Sequence, residues 1–260
     1  MTHVKARILA SILAAALINA PVILRKHGGP SATLPQQTAS LTPADIDRIV
    51  NTFTAKETEF RNALAQYSFK RDALFQTFGA GKQISGEYHR TSQLLIDDSG
   101  KRYEKMLAFP TPTLSGFGIS AEDLDDLGGA PFFALEAAKA NLYNFKYIGK
   151  ERIDDFDLHV FDVSPKTPPD PKKAKERFFQ GRIWVDVDDP LIVKTRGKGL
   201  PEPKYSAYPT VEIIREEIEK GLWFPTYAYA DEELMLGNGG GVVKLRMRVQ
   251  FSEFKKVVRR

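Results

Sequence analysis

The chain of 260 residues contains no cysteine, and that absence removes several chemistries at once. Disulfides, thiolate metal sites, cysteine nucleophiles and a lipid-modified N-terminal cysteine are excluded. If the protein is exported, packing alone must hold its fold. Histidine is scarce too: beyond the N-terminal region only His89 and His159 remain, far apart in sequence. There is no H-E-x-x-H pair and no G-x-S-x-G elbow, so neither a metal-dependent nor a serine hydrolase is supported. Phosphate loops are missing as well. Gly79 to Lys82 reads GAGK, but Gln76 stands five residues before Gly81 and Gln83 follows Lys82, so the Walker pattern fails and a hairpin turn remains. Gly237 to Gly241, GNGGG, leads into a strand and cannot aim helix N-terminal amides at a phosphate. Charge of one sign is also lacking. The 37 Lys and Arg against 33 Asp and Glu leave +4, scattered along the chain, and no nucleic-acid partner is expected.

Acidic clusters do occur, at Asp97-Asp98, Asp123-Asp125-Asp126, Asp154-Asp155-Asp157 and Asp186-Asp188-Asp189. Most fall at predicted turns, where Asp accepts local backbone hydrogen bonds, and none has EF-hand spacing. No metal, cofactor or catalytic residue is expected, and the chain is not read as an enzyme. The Pro- and Lys-rich stretch from Ser164 to Arg177 and the closing KKVVRR read as solvated loop and tail.

The N-terminus has a basic start in Lys5 and Arg7, an apolar alanine-rich run from Ile8 to Ile18, and Ala16 or Ala20 before a cleavage point. Residues 1–20 read as a secretory signal peptide, which implies a periplasmic protein. The alternative is an uncleaved membrane anchor, though the run is short for a bilayer and Asn19 and Pro21 interrupt it. Residues 21–41 form a polar linker. The folded domain is expected over 42–260.

That domain opens with LTPADIDRIV. Thr42 is placed to cap a helix, Pro43 fits its first position, and Asp45 can reach back. Ile46, Ile49, Val50, Phe53, Phe60, Leu64 and Tyr67 then make one apolar stripe. From Tyr67 the period drops to two, giving about ten strands joined mostly by hairpin-length turns. In the last, Val243, Leu245, Met247, Val249 and Phe251 point one way and Lys244, Arg246 and Arg248 the other. Between the third and fourth strands an insertion, with Ser120 as N-cap and Gly128 as stop, should hold one or two short helices. The fold class is therefore α+β: a large curved antiparallel sheet, an incomplete barrel, whose concave apolar face is covered by the N-terminal helix and the insertion.

The runs FFQGRIWVDVDDPLIVKTRGKG, YIGKERIDDFDLHVFDVSPK, IIREEIEKGLWFPTYAYADEEL and RMRVQFSEFKK resemble the LolA/LolB group of periplasmic lipoprotein-sorting proteins, from about Asp45 to the C-terminus. The resemblance implies a half-barrel that shields acyl chains, with an acylated lipoprotein or lipid as ligand and a membrane-bound donor or acceptor as further partner. The same fold serves proteins similar to the RseB envelope-stress sensor, which implies the alternative of an interaction module for lipidated or misfolded envelope proteins. Function is expected to rest on an apolar wall. Its proposed members are Phe69 and Phe75, then Ile183, Val185, Leu191 and Val193, then Leu245, Met247, Val249 and Phe251, with Phe132 and Phe133 in the lid. Trp184 shares the wet face with Arg182, Asp186 and Asp188, where a Lys or Arg stem is expected to cover it.

Overall fold

Thr42 begins the helix as its sequence predicts. Its Oγ accepts from the Asp45 amide (3.2 Å) and its own amide donates to Asp45 Oδ2 (3.3 Å), closing a capping box ahead of Pro43. In the computed structural model, which describes residues 41–79, 81–115, 118–120, 123–125, 134–172, 177–202, 209–235 and 241–257, this helix is α1 (Pro43–Leu64). It ends one turn earlier than the apolar stripe, and Tyr67 starts a strand. The expected signal peptide, almost all of the linker, Gly128, Phe132 and Phe133 lie outside the described residues.

The strands follow as β1 (Tyr67–Phe78), β2 (Ile84–Ile96) and β3 (Arg102–Ala108). After a short 3-10 helix (Ala137–Leu142) come β4 (Tyr143–Ile153), β5 (Phe156–Pro165), β6 (Phe178–Asp186) and β7 (Ile192–Leu200). The last three are β8 (Val211–Glu219), β9 (Leu222–Met235) and β10 (Val242–Lys256). All pairings are antiparallel in one sheet of order β3-β2-β1-β10-β9-β8-β7-β6-β5-β4. The edges β3 and β4 do not pair, so the barrel stays open.

Curvature follows from what the helix touches. Ten strands laid flat would span about 43 Å between edges at the usual inter-strand spacing. Yet Arg102 of β3 donates to the Leu64 carbonyl (2.5 Å), and Phe145 of β4 meets Phe53 edge-on at 5.5 Å. Both edges reach one helix because the sheet wraps around it. Of the connection from β3 to β4, the described residues Leu114, Ile119, Leu124, Ala134 and Leu135 pack on the same face, and Ser120 Oγ accepts from the Asp123 amide (3.0 Å).

Two apolar clusters result. The larger joins Ile49, Phe53, Phe60 and Leu64 of α1 to inner residues of the sheet. The smaller, Leu158, Val160, Trp184, Leu191 and Val193, lies on the opposite face.

Candidate functional site

Along β10 the side chains of Leu245, Met247, Val249 and Phe251 face α1 and are buried. Phe75 stands directly opposite Met247, while Ala73 on one side and Ala228 on the other flank Val249. Ala230 faces Met247 from β9. Phe69, Phe75, Ile183, Val185, Leu245, Met247, Val249 and Phe251 all belong to the one cluster that packs against the helix.

Leu191 and Val193 do not join them. Trp184 pairs with Lys194 but Val185 pairs with Ile192, so the hairpin carries a register shift that leaves Val193 as the extra residue. A one-residue bulge exchanges the faces of the side chains beyond it. Ile192 therefore takes the inner position expected of Val193, and Leu191 and Val193 pack with Trp184 on the other side. The turn itself is built as expected: Asp186 Oδ1 accepts from the amides of Asp188 (2.8 Å) and Asp189 (2.9 Å). Trp184 is covered by the stem of Lys194, whose Nζ lies 4.9 Å from the ring centroid, and its indole N–H donates to Glu151 Oε2 (2.7 Å).

The structure also buries charges that the sequence pattern conceals. Glu57 sits on the apolar side of α1 between Phe53 and Phe60, where helical spacing should have marked it as inward. It forms a two-pronged ion pair with Arg215 of β8, in which Nη2 meets Oε2 at 2.9 Å and Nη1 meets Oε1, and both side chains are at most 3% exposed. The Arg215 guanidinium also lies 4.6 Å from the Phe60 centroid. On the inner side of β1, Arg71 holds Glu104 of β3 at 3.0 Å, and Arg90 holds the other oxygen of that carboxylate at 2.6 Å. Burial pushes the Glu104 carboxyl up, but the Ser92 hydroxyl and the two guanidiniums outweigh it and leave it below the ordinary range.

No family model matches the chain, and no curated protein does. Solved structures do. The chain is similar to a DUF1329 family protein from Desulfovibrio piger at 14% identity, over 81% of this chain and 93% of that one, with a TM-score of 0.38. It is similar to a LolA superfamily protein from Nitrosomonas europaea at 13% identity, over 79% and 94%, with a TM-score of 0.34. It is also similar to MucB at 14% identity, over 76% and 93%, with a TM-score of 0.23. The group that the sequence resembles is thus among them.

The cover over the wall is fastened by polar contacts where the connecting segment returns to the sheet. The Leu135 amide donates to Glu57 Oε2 (3.3 Å) and the Ala137 amide to Thr58 Oγ (3.1 Å), while Arg61 pairs with Glu136 (3.3 Å). Leu124 and Leu135 supply its apolar contact with the core. Acidic side chains serve turns: Asp97 Oδ1 accepts from Ser99 Oγ (2.6 Å) and the Lys101 amide (2.9 Å). Among the described residues no group of three or more His, Cys, Asp or Glu side chains is arranged to hold a metal ion.

Proposed function

We propose that the chain is a periplasmic carrier that holds an acyl chain of a lipoprotein or lipid against the concave wall, without covalent chemistry. The observation that carries this reading is an apolar wall that runs from β1 through β10, β9, β8 and β7 to β6, covered by α1 and by the segment that returns to β4. Lifting the connecting segment breaks its three polar contacts with α1 and those of Arg71 to the Leu124 carbonyl (3.4 Å) and to Asp125 (3.6 Å), worth about 1 kcal/mol each, and exposes Leu124 and Leu135, worth roughly 2 kcal/mol each. Burying an acyl chain returns about 0.8 kcal/mol per methylene, so on the order of ten methylenes offset the opening. Short-chain ligands do not. The resemblance of the sequence to lipoprotein-sorting proteins supports the same reading, and the leader expected over residues 1–20 supports the compartment.

The test is mass spectrometry of organic extracts from protein recovered in osmotic-shock fluid. The expected result is a stoichiometric species with acyl chains of a dozen carbons or more. An extract free of acyl-bearing material, together with no uptake of added long-chain fatty acid, would count against the proposal.

A further inference from the structure

The outer face of the sheet, opposite the apolar wall, carries a cleft of about 520 Å³ over β4 to β7. One cross-strand row runs through it: Lys146 faces Asp162, Asp162 faces Arg182, and Arg182 faces Arg196. Two arginines directly opposite one another on neighbouring strands sit about 5 Å apart at Cα and repel, so their juxtaposition needs a compensating charge. Asp162 supplies it to one of them, accepting from Arg182 Nε (2.7 Å) and Nη2 (3.1 Å). Glu212, which faces Arg196 from β8, gives its carboxylate to Lys194 instead (3.0 Å). Arg196 and Lys146 are both exposed and make no ion pair among the described residues.

The cleft lining therefore holds three cations against one carboxylate, a net +2, and that carboxylate is already occupied. Its remaining polar groups are rich in donors: a guanidinium offers five N–H bonds and an ammonium three, and the amides of Asn144 and Gln180 add more. A complementary ligand is a dianion with several acceptor oxygens and few donors of its own. Tetrahedral phosphate meets the free guanidinium of Arg196 in the fork geometry that arginine favours, beside the N–H groups of Arg182 that Asp162 leaves open. The volume exceeds that of bare phosphate, which leaves room for the organic group of an ester. We infer that this cleft is a binding site for a phosphate monoester, carried by a soluble ester or by a lipid headgroup. The inference does not depend on what the concave face holds.

The experiment titrates the full chain with glycerol 3-phosphate by calorimetry at low ionic strength, and separately measures its co-sedimentation with phosphatidylcholine vesicles containing phosphatidic acid. Saturable binding of the ester is expected, weakened at least tenfold by Arg196→Gln and by Lys146→Gln. Both side chains are exposed, so the fold is retained; Lys101→Gln, exposed in the β2–β3 turn, should leave binding unchanged. Vesicle binding that the same two variants weaken assigns the group to a lipid headgroup, and ester binding without vesicle binding assigns it to a soluble ester. Binding of neither probe, binding that both variants leave intact, or a preference for an acidic peptide overturns the inference.

Discussion

Burial pushes the Tyr67 hydroxyl up to about 12, and its hydrogen bond to Glu219 Oε2 (2.6 Å) adds to the shift. An unfolded tyrosine titrates near 10, so the native state favours the protonated phenol. The resulting stability is fully present below pH 10 or so and is lost as pH climbs towards 12. Its size is up to roughly 3 kcal/mol. Urea melts between these pH values should show the native protein losing stability faster than Tyr67→Phe; parallel curves would mean the phenol carries no such linkage. Tyr67 was legible as an apolar position, but its partner was not, because Glu219 lies on β8 and only the tertiary fold brings the two together. Trp184 was more transparent. Alternation placed it on the charged face, and the chemistry of that face, with a lysine across the strand pair, supplied the cover.

Elements were legible where their period was clean. β10 alternates over its middle residues and α1 announces itself with a capping box, so both stand where the pattern puts them. The β6–β7 hairpin was harder, because one bulged residue reverses every later side chain and apolar residues on both faces leave the alternation undecided. Docking of α1 depends on a pair that no hydrophobic pattern shows. Removing one member of a buried ion pair strands the other charge, so Arg215→Met should cost about 3 kcal/mol or more in chemical denaturation. Replacing both, Glu57→Leu with Arg215→Met, should recover most of that loss. A double variant no more stable than the single would show that the pair is not what makes the single substitution costly.

At the scale of the whole molecule, the sheet and its cover divide the work. Hairpin-length turns made most neighbouring strands legible, but not β5–β6 or β7–β8, which longer connections join, nor the β1–β10 pairing, which brings the first and last strands together and leaves β3 and β4 as edges. On the proposed reading, access to the concave face depends on the cover rather than on the wall. Met247 and Val249 are fully enclosed, so a charge placed there would cost several kcal/mol and unfold the protein before it reported on a ligand. The informative perturbation is one that leaves the wall intact. Because the chain has no cysteine, Thr58→Cys with Ala137→Cys places a single thiol pair where α1 meets the returning segment. A reducible methanethiosulfonate cross-linker across that pair, followed by uptake of a fluorescent long-chain fatty acid, asks whether the cover must lift for an acyl chain to enter. Uptake should be lost in the cross-linked protein and restored by reduction; equal uptake with the cover locked would mean that the acyl chain is not held beneath it.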